Sequence, residues 1–258
     1  KTVTGSGDPL MKKLAKTLLF AVFLLPLSSV TVLAAGGAGV EHSGANINDT
    51  ASLQRGAKWY VNYCLGCHSI SYMRYNRMAE DLDLTEDMVM ENLVFSNAKF
   101  AETMDIAMHP DQAKSWFGKT PPDLSLIGRS RGADWLYSYL RGFYQDENGA
   151  WNNTMLPNAS MPHVLWALQG IQTPVYRQET DESGFTHEVI DYFELTTPGI
   201  QTPAEYKETA RDIAAFLDYA GEPAKLKRKG VGVWVILFLV LFTFVAYLLK
   251  VEYWRDVH

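Results

Sequence analysis

The segment Cys64-Leu65-Gly66-Cys67-His68 decides how the rest of the chain is read. It fits C-x-x-C-H, the attachment signature of a c-type haem. Two thiols at this spacing can add across the two vinyl groups of one haem, and the adjoining histidine offers its imidazole to the iron as the proximal ligand. A zinc site would need two more soft ligands at similar spacing, yet Cys64 and Cys67 are the only cysteines in the 258 residues. A thioredoxin-like redox pair has no use for the histidine. The motif therefore predicts one covalently bound haem c, with thioethers at Cys64 and Cys67 and an axial bond to iron from His68.

Upstream, Leu53, Ala57, Tyr60, Val61 and Cys64 recur at three- and four-residue steps, which predicts a helix with one apolar face. Asp49 or Thr50 caps it, and residues 36–48 read as an extended arm. Downstream, residues 69–78 mix aromatics with Arg74 and Arg77 and read as a loop, either along a haem edge or on the surface. Residues 79–92 are strongly acidic and read as a helical surface. Such runs are usually a solvated face, but a basic partner could dock there. Thr120-Pro121-Pro122-Asp123-Leu124-Ser125 follows. Two prolines fix an extended backbone, so Pro121 and Pro122 are expected as a rigid wall beside the haem. A proline carbonyl there can accept from His68 Nδ1 and orient the ring. Arg129 and Arg131 are candidates to pair with a haem propionate. Trp135, Leu136, Tyr139 and Leu140 mark a short amphipathic helix that stops before Gly142.

A sixth ligand has to reach the iron from the face opposite His68. Residues 145–163 read as a loop that contains Met155, Met161 and His163. Met73 and Met78 lie too close to His68 in sequence, and Met88, Met90, Met104 and Met108 read as core filling. Met161 has the stiffer local frame because Pro162 follows it, while Met155 and His163 remain open alternatives. Residues 172–195 predict a β-hairpin around Asp181-Glu182-Ser183-Gly184. Thr202-Pro203-Ala204-Glu205 opens a helix with a capping box and proline at its first position. Tyr206, Ala210, Ile213, Ala214 and Leu217 form its apolar face, and Gly221 stops it.

Both ends of the sequence carry apolar runs. Lys12 and Lys13 follow Met11, a plausible start. They precede a mostly apolar stretch from Leu14 to Leu33 that ends in small residues. That is the pattern of a secretory signal peptide, although its length also suits an uncleaved anchor. Near the other end, Gly230 to Leu249 is uncharged, and ~1.5 Å per residue makes it about 30 Å long, enough to cross a bilayer core. Trp234, Tyr247, Tyr253 and Trp254 sit as an aromatic belt would. The basic residues before this span argue for a cytoplasmic domain. The leader and the haem motif argue for a periplasmic one, and they weigh more because a translocated domain is governed less by local charge. The expected partition is a leader over 1–35, a periplasmic haem domain over 36–224, and an anchor with a short cytoplasmic tail over 225–258. The formal charge of -6 does not suit a nucleic-acid binder and could attract a basic protein partner.

The combination resembles the cytochrome c1 family, the haem subunits of cytochrome bc1 complexes, in a bacterial form. The residues that carry the likeness are Leu53-Gln54-Arg55-Gly56, Cys64 to Ser69, Tyr72-Met73-Arg74-Tyr75, Pro121-Pro122-Asp123-Leu124-Ser125 with Arg129, Met161-Pro162, and the C-terminal anchor. Two positions depart from the family's pattern: Gln54, where an arginine is common, and His163, where a second proline is common. The resemblance implies a mainly α fold: a class I-like cytochrome c haem domain with a small β-hairpin insertion, plus one C-terminal transmembrane helix. It implies Met161 as the distal ligand and Arg129 on a propionate. It also implies an electron relay from a Rieske iron–sulfur protein to a cytochrome c, alongside cytochrome b, in a membrane complex that is expected to be dimeric. An oxidase-donor cytochrome of the same membrane-anchored kind is the alternative; a haem peroxidase or sensor would need an open sixth site.

Overall fold

A computed structural model describes residues 39–255 apart from residue 182. The expected leader and the start at Met11 lie outside the described residues. In chain order the elements are α1 (Thr50–Tyr63), β1 (Ile70–Arg74), α2 (Tyr75–Asp81), α3 (Glu86–Asn92), β2 (Thr103–Met104), α4 (Pro110–Phe117), α5 (Ile127–Arg131), α6 (Ala133–Arg141), β3 (Phe143–Gln145), β4 (Trp151–Asn153), α7 (Trp166–Gln169), β5 (Gly170–Thr180), β6 (Thr186–Pro198), α8 (Pro203–Gly221) and α9 (Lys225–Tyr253).

Helix α1 begins where Asp49 accepts from the Ser52 N–H at 3.0 Å, which satisfies one of the orphan donors of a first turn. It buries Leu53, Gly56, Ala57, Tyr60 and Val61. The face opposite is α8, whose start carries the expected capping box between Thr202 and Glu205 and Pro203 in the first turn. The two helices cross with almost no gap. A Cβ on Gly56 would lie 2.1 Å from the Asp212 carbonyl oxygen and 2.7 Å from Phe216 Cβ. Around that contact, Asp212 is buried and accepts from Ser52 Oγ at 2.6 Å and from Arg55 Nε at 2.6 Å. The Leu53-Gln54-Arg55-Gly56 stretch is thus the surface on which α8 rests. Gly128 in α5 makes a second close approach, since a Cβ there would lie 2.3 Å from the Leu217 carbonyl oxygen. Tyr60, Ile213, Phe216 and Tyr219 fill the core between them.

Among the described residues, three antiparallel strand pairs decorate this helical frame. Two of them fall in stretches that read as loops. The 69–78 segment forms β1, paired with β2 through Ile70 opposite Met104, and then enters α2. The 145–163 segment turns back at Gly149, where φ is +77°, and places β4 on β3 with Phe143 opposite Asn153. The acidic 79–92 stretch is broken rather than continuous. Helix α2 ends, Asp83 takes φ +54°, and Thr85 caps α3 by accepting from the Met88 N–H. β5 and β6 pair from Gly170 opposite Pro198 out to Thr180 opposite Thr186. Helix α9 contains the expected 230–249 span, and its stretch from Gly230 to Tyr253 is long and apolar enough to cross a membrane. None of the most apolar window of that stretch is buried within the chain.

Candidate haem-binding site

Helix α1 delivers the motif at its C-terminal end. The Cys64 N–H closes on the Tyr60 carbonyl at 2.8 Å, and the Cys67 and His68 N–H groups both donate to the Cys64 carbonyl, at 3.0 and 2.9 Å. A tight turn therefore carries both thiols and the imidazole. The Tyr60 hydroxyl donates to the His68 carbonyl, so the turn is pinned to a buried residue of the helix that precedes it. Cys64 and Cys67 are not joined in a disulfide. Burial, followed by the neighbouring Cys67, pushes the Cys64 thiol up to about 12.

The imidazole is oriented from across the site. His68 Nδ1 lies 2.7 Å from the Pro122 carbonyl oxygen. A carbonyl can only accept, so Nδ1 carries the proton and Nε2 keeps its lone pair. Burial lowers the His68 pKa, opposed in part by this hydrogen bond. Burial favours the neutral ring and the hydrogen bond fixes its tautomer, which together leave Nε2 ready to act as a metal ligand.

Asp123 explains how Pro122 comes to stand there. Its carboxylate accepts from Ser69 Oγ at 2.8 Å, the Ser71 N–H at 2.9 Å and the Ser125 N–H at 2.8 Å. The Leu124 N–H adds a bond to the Ser69 carbonyl at 2.8 Å. Burial would raise the Asp123 pKa, but the hydrogen bonds outweigh it and hold the group down at about 2. The Pro-Pro-Asp-Leu-Ser segment is thus stapled to the chain just after His68. Pro121 is half-buried and Pro122 exposed.

The sixth-ligand candidates sit on the loop that follows β4. Asn153, fully buried, donates from Nδ2 to the Tyr139 carbonyl at 2.8 Å, and its Oδ1 accepts from the Met155 N–H at 2.8 Å. Asn152 Oδ1 accepts from the Asn158 N–H at 2.9 Å. The loop is therefore held to the C-terminal end of α6. Met161 is half-buried, and its sulfur accepts from the Tyr139 hydroxyl at 3.5 Å. Burial pushes the Tyr139 phenol up to about 12, so it remains a donor at neutral pH.

His163 is packed among aromatic side chains. Its ring stacks on Phe143 at 4.9 Å with planes 6° apart and meets the Trp151 ring edge-on at 5.2 Å. Burial lowers its pKa to about 4, with the neighbouring Gln169 side chain acting weakly in the other direction. This is a neutral histidine packed among aromatics. Met73, Met78 and Met104 are wholly buried in the core. The two arginines also separate: Arg131 lies over the Trp135 ring at 5.0 Å, while Arg129 is exposed.

Asp123, Tyr139 and Asn153 are the site residues that sequence reading does not assign. Only the Pro-Pro-Asp-Leu-Ser stretch offers a local hint, because an aspartate just after prolines commonly bonds nearby backbone N–H groups. The donor set fits haem. It comprises two thiols on one turn, an imidazole with a free Nε2, and a thioether on a braced loop. Among the described residues no group of three or more His, Cys, Asp or Glu side chains could hold a bare metal ion.

A helix ending in such a turn, with its histidine held by a proline carbonyl, defines the class of c-type cytochromes. The comparisons narrow it. The model of the Cytochrome C1 family matches residues 42–257, and the chain belongs to that family. A cytochrome c1 from Allochromatium vinosum is 44% identical over 245 residues, which covers 94% of this chain and 100% of that protein. A protein from Nitrosomonas europaea named ammonia monooxygenase gamma subunit is 42% identical over 250 residues, 95% of this chain and 100% of that protein. Cytochrome c1 from Rhodospirillum rubrum is 27% identical over 243 residues, 81% of this chain and 83% of that protein.

Proposed function

We propose that the chain is the electron-transfer haem subunit of a cytochrome bc1 complex, carrying one electron at a time from a Rieske iron–sulfur protein to a cytochrome c. Cys64 and Cys67 hold one haem c covalently, His68 and Met161 bind its iron, Arg129 meets a propionate, and Pro121 and Pro122 wall one edge. The haem supplies the one-electron couple. The chain supplies ligation, burial and orientation, and these set the potential. No side chain is assigned acid–base work. The observation that carries the reading is the His68–Pro122 hydrogen bond at 2.7 Å, because it frees Nε2 for iron at the residue the motif designates.

Residues 36–224 make a class I-like periplasmic haem domain with the β5–β6 ribbon as an insertion, and residues 225–258 make the anchor and a cytoplasmic tail. The expected partners are cytochrome b and the Rieske protein in a dimeric complex. The name of the Nitrosomonas relative supports a second reading, in which the same haem domain serves a different membrane complex. Purification of the detergent-solubilised assembly separates the two. A b-type haem protein and an iron–sulfur protein that co-purify with this chain support the bc1 reading; an ammonia monooxygenase in their place overturns it. On the haem itself, Met161→Leu should abolish the methionine–iron charge-transfer band while Met155→Leu retains it. The reverse result would remove Met161 as ligand.

A further inference from the structure

We infer that Tyr139 is a positioning residue for the redox centre: its hydroxyl donates to the Met161 sulfur and keeps the reduction potential up. The inference rests on Met161 being the axial ligand and adds a residue that neither the motif nor the family match assigns.

The geometry is specific. Tyr139 Oη lies 3.5 Å from Met161 Sδ. The phenol ring is fixed on two sides. Trp135, one helical turn earlier, stacks on it at 5.0 Å with planes 11° apart, and Phe143 meets it edge-on at 5.1 Å. Arg131 lies over the Trp135 ring at 5.0 Å, a cation–π contact that helps hold that ring in place. Trp135 and Tyr139 are one turn apart on α6, and Arg131 and Phe143 extend the column from its two flanks. The backbone end of the same residue is also tied to the ligand loop, since the Tyr139 carbonyl accepts from Asn153 Nδ2 at 2.8 Å. One residue thus braces the loop through its carbonyl and addresses the sulfur through its hydroxyl.

The chemical consequence follows from what a thioether can do. Its sulfur has two lone pairs and is a weak acceptor. With one pair on iron, the other remains for the phenol. A hydrogen bond to that pair withdraws electron density from sulfur and weakens its donation to ferric iron more than to ferrous. The reduced state gains relative to the oxidised, and the potential rises. Hydrogen bonding to an axial ligand is a lever of this kind. A residue that only filled space would not move the potential when its hydroxyl alone is removed.

The test is a redox titration of the detergent-solubilised complex that carries full-length chain. Tyr139→Phe keeps the stack and removes the donor. At fixed applied potential the reduced-to-oxidised ratio should fall about threefold, a ~28 mV downward shift for a one-electron couple. The methionine–iron charge-transfer band should persist at a changed energy. An unchanged potential with the band intact overturns the proposal and leaves Met161 as ligand. If Met161→Leu keeps the band, the ligand assignment fails and this inference fails with it. If Tyr139→Phe does not accumulate, a monofluorinated tyrosine at position 139 decides, because it is a stronger donor of the same shape. The ratio should then rise; no change overturns the proposal.

Discussion

Asp123 shows how one exposed carboxylate can orient a histidine through its neighbours. It joins the segment that carries Pro122 to the strand that follows His68, and so fixes the acceptor for His68 Nδ1. Its pKa falls from the ordinary 3.8 to about 2 in the folded chain. A carboxyl depressed on folding contributes stability above its unfolded value and loses it as pH drops through the folded value. The difference in urea stability between the native chain and Asp123→Asn should therefore be widest above 3.8 and close as pH falls toward 2. A difference that is constant across that range would show that the carboxylate charge contributes nothing. Asn153 invites a second test. Asn153→Ala leaves the Met155 N–H without its acceptor and the Tyr139 carbonyl with only the Gly142 N–H, at a cost of about 1–3 kcal/mol for a buried polar group. The methionine–iron charge-transfer band should weaken in that variant before the fold melts, which near-infrared absorbance during thermal unfolding would record. The two residues differ from Cys64 and His68 in legibility. The haem motif is local, with every group within five positions, so its chemistry can be read without the fold. Asp123 and Asn153 act on residues far away in sequence, and only the folded chain brings those partners near.

Helix α8 is the element on which the domain turns, because α1, α5 and α6 all lie against it. Its boundaries were readable, since a capping box, a first-turn proline and a closing glycine are local signals. Its partner face was readable from the three- and four-residue steps. What could not be read is how near the helices come. Gly56 looks like a weak point in a helix, yet its missing Cβ is what admits the Asp212 carbonyl and Phe216. The short pairings β1–β2 and β3–β4 were hidden for a related reason: two or three residues are too few to display a period of two. Gly56→Ala tests the crossing directly. An intrinsic helix propensity argument expects stabilisation, since alanine is the better helix former by about 1 kcal/mol. The 2.1 Å contact with backbone predicts the opposite, because overpacking typically costs about 1–3 kcal/mol. Calorimetry should find the melting temperature lowered by ~3 °C or more, at roughly 2–4 °C per kcal/mol for a domain of this size. A rise in melting temperature would mean that the helices sit farther apart than described.

At the scale of the whole molecule, the haem-site residues and the membrane helix occupy separate parts of the chain. The core that surrounds Tyr60, Phe216 and Tyr219 is assembled from elements that end at Gly221. Helix α9 contributes little to it: Leu226 packs on the edge of the core, and beyond Gly230 its apolar side chains are exposed. Its link to the rest is polar. Lys225 pairs with Asp218 at 2.9 Å, Lys227 reaches Glu80 at 3.6 Å, and Arg228 meets Glu222. Exposed pairs of this kind are each worth about 0–1 kcal/mol, enough to orient an anchor but not to hold a domain together. An apolar helix of this length has no stable place in water, whereas a bilayer satisfies it. A chain truncated after Ala224 should therefore leave the membrane fraction and stay soluble without detergent. Its haem absorbance should match the full chain, and its melting temperature should lie within a few degrees of it. Sedimentation after cell lysis, followed by optical spectra of the supernatant, would show this. If the truncated domain instead aggregates or loses its methionine band, α9 does more than tether: its first turns, with Leu226 and the three basic side chains, would have to be counted among the residues that shape the haem site.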